Sequence, residues 1–362
     1  MTIYAQGSTF PLGVAERMSR DTKPTLHDVG ALAGVTARTV SRVVNGEPSV
    51  SKSTKEKVRK AIETLHFHPN LAAKALRSER SFLVAILNNN PSPHYVADVV
   101  RGVSQVCRQT GTFLTLEEFL PDDVNIARSI AALLDRIGLA GAILIPPMTD
   151  DLAVLDLLEA RGVPIIRMSP AHDVARTPAV FARDGDGVRA LVEHLHELGH
   201  RQFAIIGGPS SHSSSLVRMA AFKRALSDHG IPLASIIIEQ GDYTYDSGAK
   251  ATRRILERSG DTRPSVICAA NDEMAAGVIG VLGASGIAVP AEVAVTGFDD
   301  SEIARMIWPT LTTVRQSIVE QAVSAAHLLL DRNRLPDEPR RIDQNIELVI
   351  RKSTLRDNRS SR

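Results

Sequence analysis

Arg38 and Arg42 stand four residues apart, so on a helix their guanidiniums share one face, one turn apart. A guanidinium's forked donors match guanine O6 and N7, which suits Arg38 to reading a base edge in a DNA major groove, with Arg42 on the same face. Thr36, Ala37 and Thr39 share the exposed start of the same helix. Thr25, Ser41, Asn45, Lys52, Ser53 and Lys55 supply polar and cationic groups around it that can hold phosphates and so position the base readers. Other residues invite different chemistry. His196 and His200 have the spacing of a metal pair on a helix, with His194 close by. Gly199 ends that helix before His200, and His194 faces elsewhere, so no metal is expected. The run Ser210–Ser215 encloses His212, a set of hydroxyls beside an imidazole, but neighbours in sequence do not make a triad. No GxSxG, HExxH or GxxxxGK[ST] motif occurs, and neither an enzyme nor a cofactor is expected. Cys107 and Cys268 are too few for a disulfide framework or a CxxC motif and read as small core residues.

The elements that must position these groups change texture along the chain. Residues 1–23 read as an extension without periodicity, and Met18 is a second possible start. Residues 24–69 read as three short helices. Thr25 caps the first, Leu26–Ala33, which Gly34 stops; Thr36 caps the second, Ala37–Asn45, ended by Asn45-Gly46; Ser51 opens the third, Lys52 to about Leu65. Leu26, Val29, Ala33, Val35, Val40, Val43, Val44, Val58, Ile62 and Leu65 recur at helical spacing and form one small core. After Pro69, Asn70–Ser78 is rich in helix formers but too short to be a helix alone, so residues 70–80 read as a linker that folds on docking.

From Ser81 strand-like runs alternate with amphipathic helices. The strands are Phe82–Leu87, Thr112–Leu116, Ala142–Ile145, Pro164–Met168, Phe203–Ile206, Ile236–Glu239, Val266–Ala269 and Val293–Thr296. This is an α/β class with parallel sheets, and its length favours two doubly wound subdomains sharing a cleft at the carboxyl ends of their strands. The subdomain boundaries are expected at about 81–198 with 316–345, and 199–315 with 346–355, followed by a tail at 356–362.

Charge follows the same division. The whole chain is nearly balanced, 42 Lys+Arg against 41 Asp+Glu, but residues 1–80 carry a net +6 and the remainder a net −5. A basic terminal module is the footprint of a polyanion binder, although a merely solvated basic face has the same count. The 43% hydrophobic and 23% charged composition excludes a disordered or collagen-like chain. No apolar run reaches the length of a membrane span, and residues 1–16 lack a signal-peptide pattern, so a cytoplasmic location is expected.

The segment TLHDVGALAGVTARTVSRVVNG (Thr25–Gly46), followed by HFHPNLAAKALRS (His66–Ser78), closely resembles the lactose-repressor (LacI/GalR) family of bacterial transcription regulators. The likeness continues through DGVRALVEHLHELGHRQFAIIGGP (Asp186–Pro209), AANDEMAAGVI (Ala269–Ile279), VAVTGFDD (Val293–Asp300) and PTLTTVRQ (Pro309–Gln316). The resemblance implies a helix-turn-helix DNA-binding domain, a hinge helix, and two subdomains like those of periplasmic binding proteins. It implies a non-enzymatic, nucleoid-associated repressor that binds a palindromic operator as a homodimer and responds to a small effector, most often a sugar. Leu76 falls at the family's minor-groove wedge, with Asn70, Ala73 and Lys74 at neighbouring contacts. Ala37 and Arg38 form the specificity pair, with Arg38 dominant. Gly30 departs from the family's usual Ala at a helix cost of about 1 kcal/mol.

Effector contacts implied by the resemblance are Asp186, Arg218, Tyr243, Asn271, Asp299 and Gln316; beside Arg218, Ser214 adds a hydroxyl and His212 an imidazole as further candidate contacts. The set suits a polyhydroxylated ligand, because Asp accepts, Arg donates and Asn does both. Five of these have a purely structural alternative: Asp186 and Asn271 as helix caps, Arg218 as a salt-bridge partner, Tyr243 as rim packing, His212 as a loop histidine. Asn90-Pro91-Ser92-Pro93-His94-Tyr95 departs from the family's Asn-Pro-aromatic-aromatic motif, which leaves the sugar class open. Trp308 and the helix Tyr95–Gln109 fall where the family dimerises. The C-terminal leucine heptads of tetrameric relatives are missing, so a dimer is expected. Alternatives are a sugar-binding receptor without DNA function, and an effector that is a purine or sugar phosphate.

Overall fold

The computed structural model describes residues 24–44, 49–67, 81–120, 123, 125–260, 262–331 and 341–355. Asn45, the hinge candidates Asn70, Ala73, Lys74 and Leu76, and the expected extension and tail lie outside these residues. The chain divides into two compact units, residues 1–80 and 81–362.

In the first unit, helices α1 (Leu26–Ala33), α2 (Ala37–Val44) and α3 (Lys52–Thr64) surround Val29, Val40, Val58, Ala61, Leu65 and Phe67. Their starts are fixed locally. Thr25 Oγ1 and Asp28 form a capping box on α1, Thr39 N donates to Thr36 Oγ1 at the head of α2, and Thr54 N donates to Ser51 Oγ at the head of α3. Gly34, at φ 67°, turns α1 into α2. The glycine at position 30 has a packing reason: a Cβ there would lie 2.7 Å from Val35 O, so its absence lets the turn press against α1.

The second unit holds two parallel sheets. The first has the order β11-β5-β4-β3-β1-β2, from β1 (Leu83–Asn88), β2 (Phe113–Glu118), β3 (Gly141–Leu144), β4 (Ile165–Met168), β5 (Ala179–Ala182) and β11 (Arg341–Gln344). Helices α4 (Pro93–Thr110) and α12 (Ile318–Leu330) cover one face, while α5 (Ile126–Leu134) and α6 (Leu152–Ala160) cover the other. The second sheet has the order β7-β6-β8-β9, from β6 (Phe203–Gly207), β7 (Ile237–Gln240), β8 (Val266–Ala269) and β9 (Ala294–Thr296). It lies between α7 (Asp184–Glu197) with α8 (Ser213–Asp228), and α9 (Tyr245–Ser259) with α10 (Asp272–Ala284). Short helix α11 (Ile303–Met306) precedes β10 (Thr313–Arg315), which pairs antiparallel with β12 (Glu347–Val349).

The chain crosses between the sheets three times. The first crossing corrects the expected boundary at 198. Val188, Leu191, Val192 and Leu195 of α7 pack with Phe203, Phe222 and Val266, so the second subdomain begins at about residue 184. The cause is β5, a short strand that the sequence reading missed, which completes the first sheet before α7. The other crossings fall near Gln316 and Asn345, between α12 or β11 on one side and β10 or β12 on the other. Among the described residues no helix is long and apolar enough to cross a membrane.

Candidate nucleic-acid interface and ligand cleft

On α2 the valines face inward and the arginines outward. Val40 is fully buried, whereas Arg38 and Arg42 are exposed. The hydroxyls of Thr36 and Thr39 bond each other at 3.0 Å, and both Thr25 donors engage the Asp28 carboxylate. Those threonines therefore set the helix starts, and Arg38 and Arg42 are the long side chains that reach outward. Ala37 and Ser41 are half-buried, and Lys52 is exposed at the head of α3.

In the second unit a cavity opens where the strand order reverses in each sheet, the place where open α/β sheets bind ligands. From the first sheet it takes Asn90 after β1, Ser92 and Tyr95 at the start of α4, Pro146 after β3 and Ser169 after β4. From the second it takes His212, Ser214 and Arg218 at the start of α8, Tyr243 after β7, Asn271 after β8 and Asp299 after β9. Asp184 and Gln316 enter from two of the crossings. The empty space, including its mouth, is about 460 Å³, toward the small end for small-molecule sites.

Arg218 is the centre of this cleft. Its Nε donates to Asp184 Oδ2 at 2.8 Å and its Nη1 to Ala270 O at 2.8 Å; its Nη2 lies 3.9 Å from Asp299 Oδ1, and the guanidinium lies 3.7 Å from the Phe298 ring centroid. Burial alone would lower its pKa, but Asp184 and Asp299 outweigh that and hold the cation above its ordinary range. Burial pushes the Asp299 carboxyl well up, against the pull of Arg218. Gln316 Nε2 donates to the same Asp299 oxygen. Asp299 and Asp300 have φ of 113° and 58°, conformations that cost L-residues energy and that surrounding contacts must enforce.

Among the described residues, the buried polar atoms Asp184 Oδ1 and His212 Nε2 at the cleft have no hydrogen-bond partner. Such atoms are costly in a sealed interior and are suited to a polar ligand. Burial pushes His212 down to about 4, so it is a neutral imidazole that donates or accepts at physiological pH. Burial, then the Asp299 and Asp184 charges, push the Tyr95 phenol up, so it remains a hydroxyl donor.

Asp186 is not in this cleft. Its carboxylate is held between Arg183 Nε at 2.8 Å and Arg189 Nη2 at 2.9 Å, outside the cavity. The residue that faces Arg218 is Asp184, two residues past the missed strand β5 and the first residue of α7. The other seven residues, His212, Ser214, Arg218, Tyr243, Asn271, Asp299 and Gln316, line the cavity. Asn271 also caps α10 through Met274 N, and its Nδ2 donates to Tyr243 O and Glu273 Oε2. Sequence reasoning missed Asn90, Ser92, Tyr95, Pro146, Ser169 and Asp184 as contacts. Asn90, Pro146 and Ser169 lie one to three residues beyond predicted strands, and the strand-end rule would have found them. The three histidines do not converge: His194 faces Thr354, His200 faces Ser265, and His196 stacks on His229.

Behind the cleft, Asp272 is fully buried and accepts from Thr313 Oγ1 at 2.6 Å and Ser301 N at 2.7 Å. Burial raises its carboxyl to about 7, against the pull of those bonds. An unfolded Asp titrates near ~3.9. The folded chain therefore binds the extra proton between those values, and stability falls as pH rises through that window. Asp272→Asn should flatten this slope, read as the difference in urea-unfolding free energy between pH 5 and pH 8. Parent and variant slopes that coincide would contradict it.

Residues 25–70 match the family of bacterial regulatory proteins of the lacI type, and residues 192–354 match the periplasmic binding protein-like domain. The chain is 34% identical over 346 residues to the transcriptional regulator CelR of Thermobifida fusca, covering 93% of this chain and 100% of that protein. This chain belongs to the LacI family. It is 31% identical to the lactose operon repressor of Escherichia coli K12, covering 81% of this chain and 80% of that one. Among solved structures it is similar to a CelR–cellobiose complex, with TM-score 0.70, 31% identity, and 91% and 99% of the two chains covered. It is also similar to a lac repressor dimer bound to operator and the anti-inducer ONPF, with TM-score 0.76, 29% identity, and 92% and 100% covered. A LacI-family chain is a transcriptional regulator rather than an enzyme, and the helix-turn-helix match removes the reading as a receptor without DNA function.

Proposed function

We propose that this regulator represses carbohydrate-utilisation genes at the nucleoid, binding a palindromic operator as a homodimer with an affinity set by an uncharged sugar in the cleft. The observation that carries the ligand class is the charge inside the cavity. Its lining holds one guanidinium, Arg218, already engaged by Asp184 and Asp299. A sugar phosphate or uronate would meet two carboxylates and no uncommitted cation among the lining residues, whereas a neutral polyol finds donors and acceptors at every wall. The CelR–cellobiose structure, a relative with a neutral disaccharide, supports the same class.

On the DNA side, Arg38 reads a base in each half-site, Ala37 touches a thymine methyl at most, and Arg42, Thr25, Thr36, Thr39, Ser41, Asn45 and Lys52 position the helices on the backbone. Asn70, Ala73, Lys74 and Leu76 act in the central minor groove, where an apolar wedge opens a base step. Met306 and Trp308, 76% and 71% exposed, are the apolar side chains we assign to the contact between two copies.

Effector and operator then change each other's affinity reciprocally. Thermal unfolding against uncharged sugars, sugar phosphates and purines tests the ligand class. A sugar at ~100 times its Kd should stabilise the core by about 2.7 kcal/mol. Hits confined to phosphates or purines would overturn it. On the DNA side, Arg38→Ala should relax the preference at one operator position per half-site, worth about 1–3 kcal/mol of discrimination. An unchanged preference in competition binding would remove Arg38 as the main reader.

A further inference from the structure

Helix α8 starts without a side-chain cap, and only the N–H groups of Ser215 and Leu216 in its first turn find a partner of its own, His212 O. Its N-cap, His212, makes no side-chain bond to the helix, and its first turn contains no acid. Such a start carries unpaired donors and the positive end of the helix dipole, and both favour a nearby anion. The anion comes from the other subdomain. Asp150, in the turn Met148–Asp150 after β3, accepts a hydrogen bond from Ser213 Oγ, the first residue of α8. Both side chains are buried.

Asp150 is itself held rigidly. Its carboxylate accepts from the amides of Ala171 and His172 at 3.1–3.2 Å and lies 3.6 Å from Arg167 Nη1. Arg167, on β4, is fully buried and donates to Thr177 Oγ1 and to the carbonyls of Thr149, His172 and Asp173. A guanidinium buried within a sheet is tolerated only when its donors are engaged, and here that engagement fixes the loop after β4 and the Asp150 carboxylate as one preformed acceptor.

We propose that Asp150 holds the head of α8 from across the cleft, through the Ser213 hydroxyl and its charge near the positive end of the helix. The Ser213–Asp150 pair is then a closure latch, made when the two subdomains meet and broken when they part. Because α8 also carries Arg218, the latch positions that guanidinium against Asp184. It is built into the chain and does not depend on what the cleft binds.

Native-state hydrogen exchange on the full chain tests the latch. Ser213→Ala removes the donor without disturbing the Asp150–Arg167 pair. Exchange at the amides of Ser214–Leu216 and of Ala171 and His172 should accelerate about ten-fold or more, as expected for a lost bond to a charged group. The radius of gyration in solution should rise, and Ser213→Thr, which keeps the hydroxyl, should restore both. Unchanged exchange at those amides would overturn the latch. Acceleration spread evenly through both sheets would also overturn it, because it would make Ser213 an ordinary packing residue.

Discussion

Arg218→Met should abolish the response to effector while operator binding by the helix-turn-helix unit persists. The substitution keeps an apolar stem against Phe298 and removes every donor that Arg218 offers. Each hydrogen bond to a charged group contributes about 1.5–3 kcal/mol, so effector affinity should fall at least ~100-fold. The variant also leaves Asp184 and Asp299 facing each other without their cation. Removing one partner of a buried pair costs about 3–5 kcal/mol unless the survivor neutralises itself. Asp299 can do so, because burial already pushes its carboxyl up. With Arg218 gone that shift grows, and the folded chain holds a proton that the unfolded chain releases above pH ~4. Stability therefore falls as pH rises, and the variant's deficit should be larger at pH 8 than at pH 5.5 in thermal unfolding. A deficit equal at both pH values would show that the carboxylates are not coupled through Arg218.

Asp300→Asn should be strongly destabilising. The Asp300 carboxylate, 1% exposed, accepts from Arg305 Nη2 at 3.0 Å and Arg315 Nε at 2.8 Å through one oxygen, and from Arg351 Nη2 through the other. It thereby ties α11, β10 and the segment after β12 into one joint, and it anchors the strained Asp299–Asp300 backbone. The asparagine leaves three guanidiniums around an uncharged amide. Arg305 and Arg315 are 61% and 39% exposed, so solvent screens part of the loss, and about 3 kcal/mol is the expected cost. For a unit of this size that lowers the unfolding midpoint by roughly 6–12 °C. Burial alone would raise the Asp300 pKa, but Arg351, Arg315 and Arg305 outweigh it and hold the carboxyl below its ordinary range. Its contribution is therefore complete at neutral pH and is lost as pH falls through that depressed value, so parent and variant should converge in acid. Calorimetry of both at pH 7 and pH 3 checks this. A midpoint change under 2 °C at pH 7 would remove the joint from the account.

Much of this was legible in the residues before any coordinates. Thr25, Gly34, Thr36 and Ser51 marked the helix starts and stops because caps are chemical signals carried by single residues. Eight of the strands showed as apolar runs, and residues shortly beyond several of them line the cleft. What escaped had no local signal. β5, β10, β11 and β12 are short, and no helix separates β4 from β5 or β11 from β12, so they lack the strand–helix alternation by which the others were read. Missing β5 moved the first crossing and put Asp186 where Asp184 belongs. Arg167 fell inside a predicted strand, but nothing in its spacing tells that its guanidinium is fully buried and holds Asp150. The Asp300 joint gathers arginines 5, 15 and 51 residues away, and no spacing rule reaches that far.

The central claim is that the cleft sets operator affinity, and one measurement tests it most directly. A palindromic duplex selected by the full chain from a random library is titrated by fluorescence anisotropy with and without each uncharged sugar that stabilises the core to heat. The account predicts a change in operator Kd of about 5- to 150-fold with at least one such sugar, absent in Arg218→Met. An operator Kd that stays constant with every stabilising sugar would contradict it.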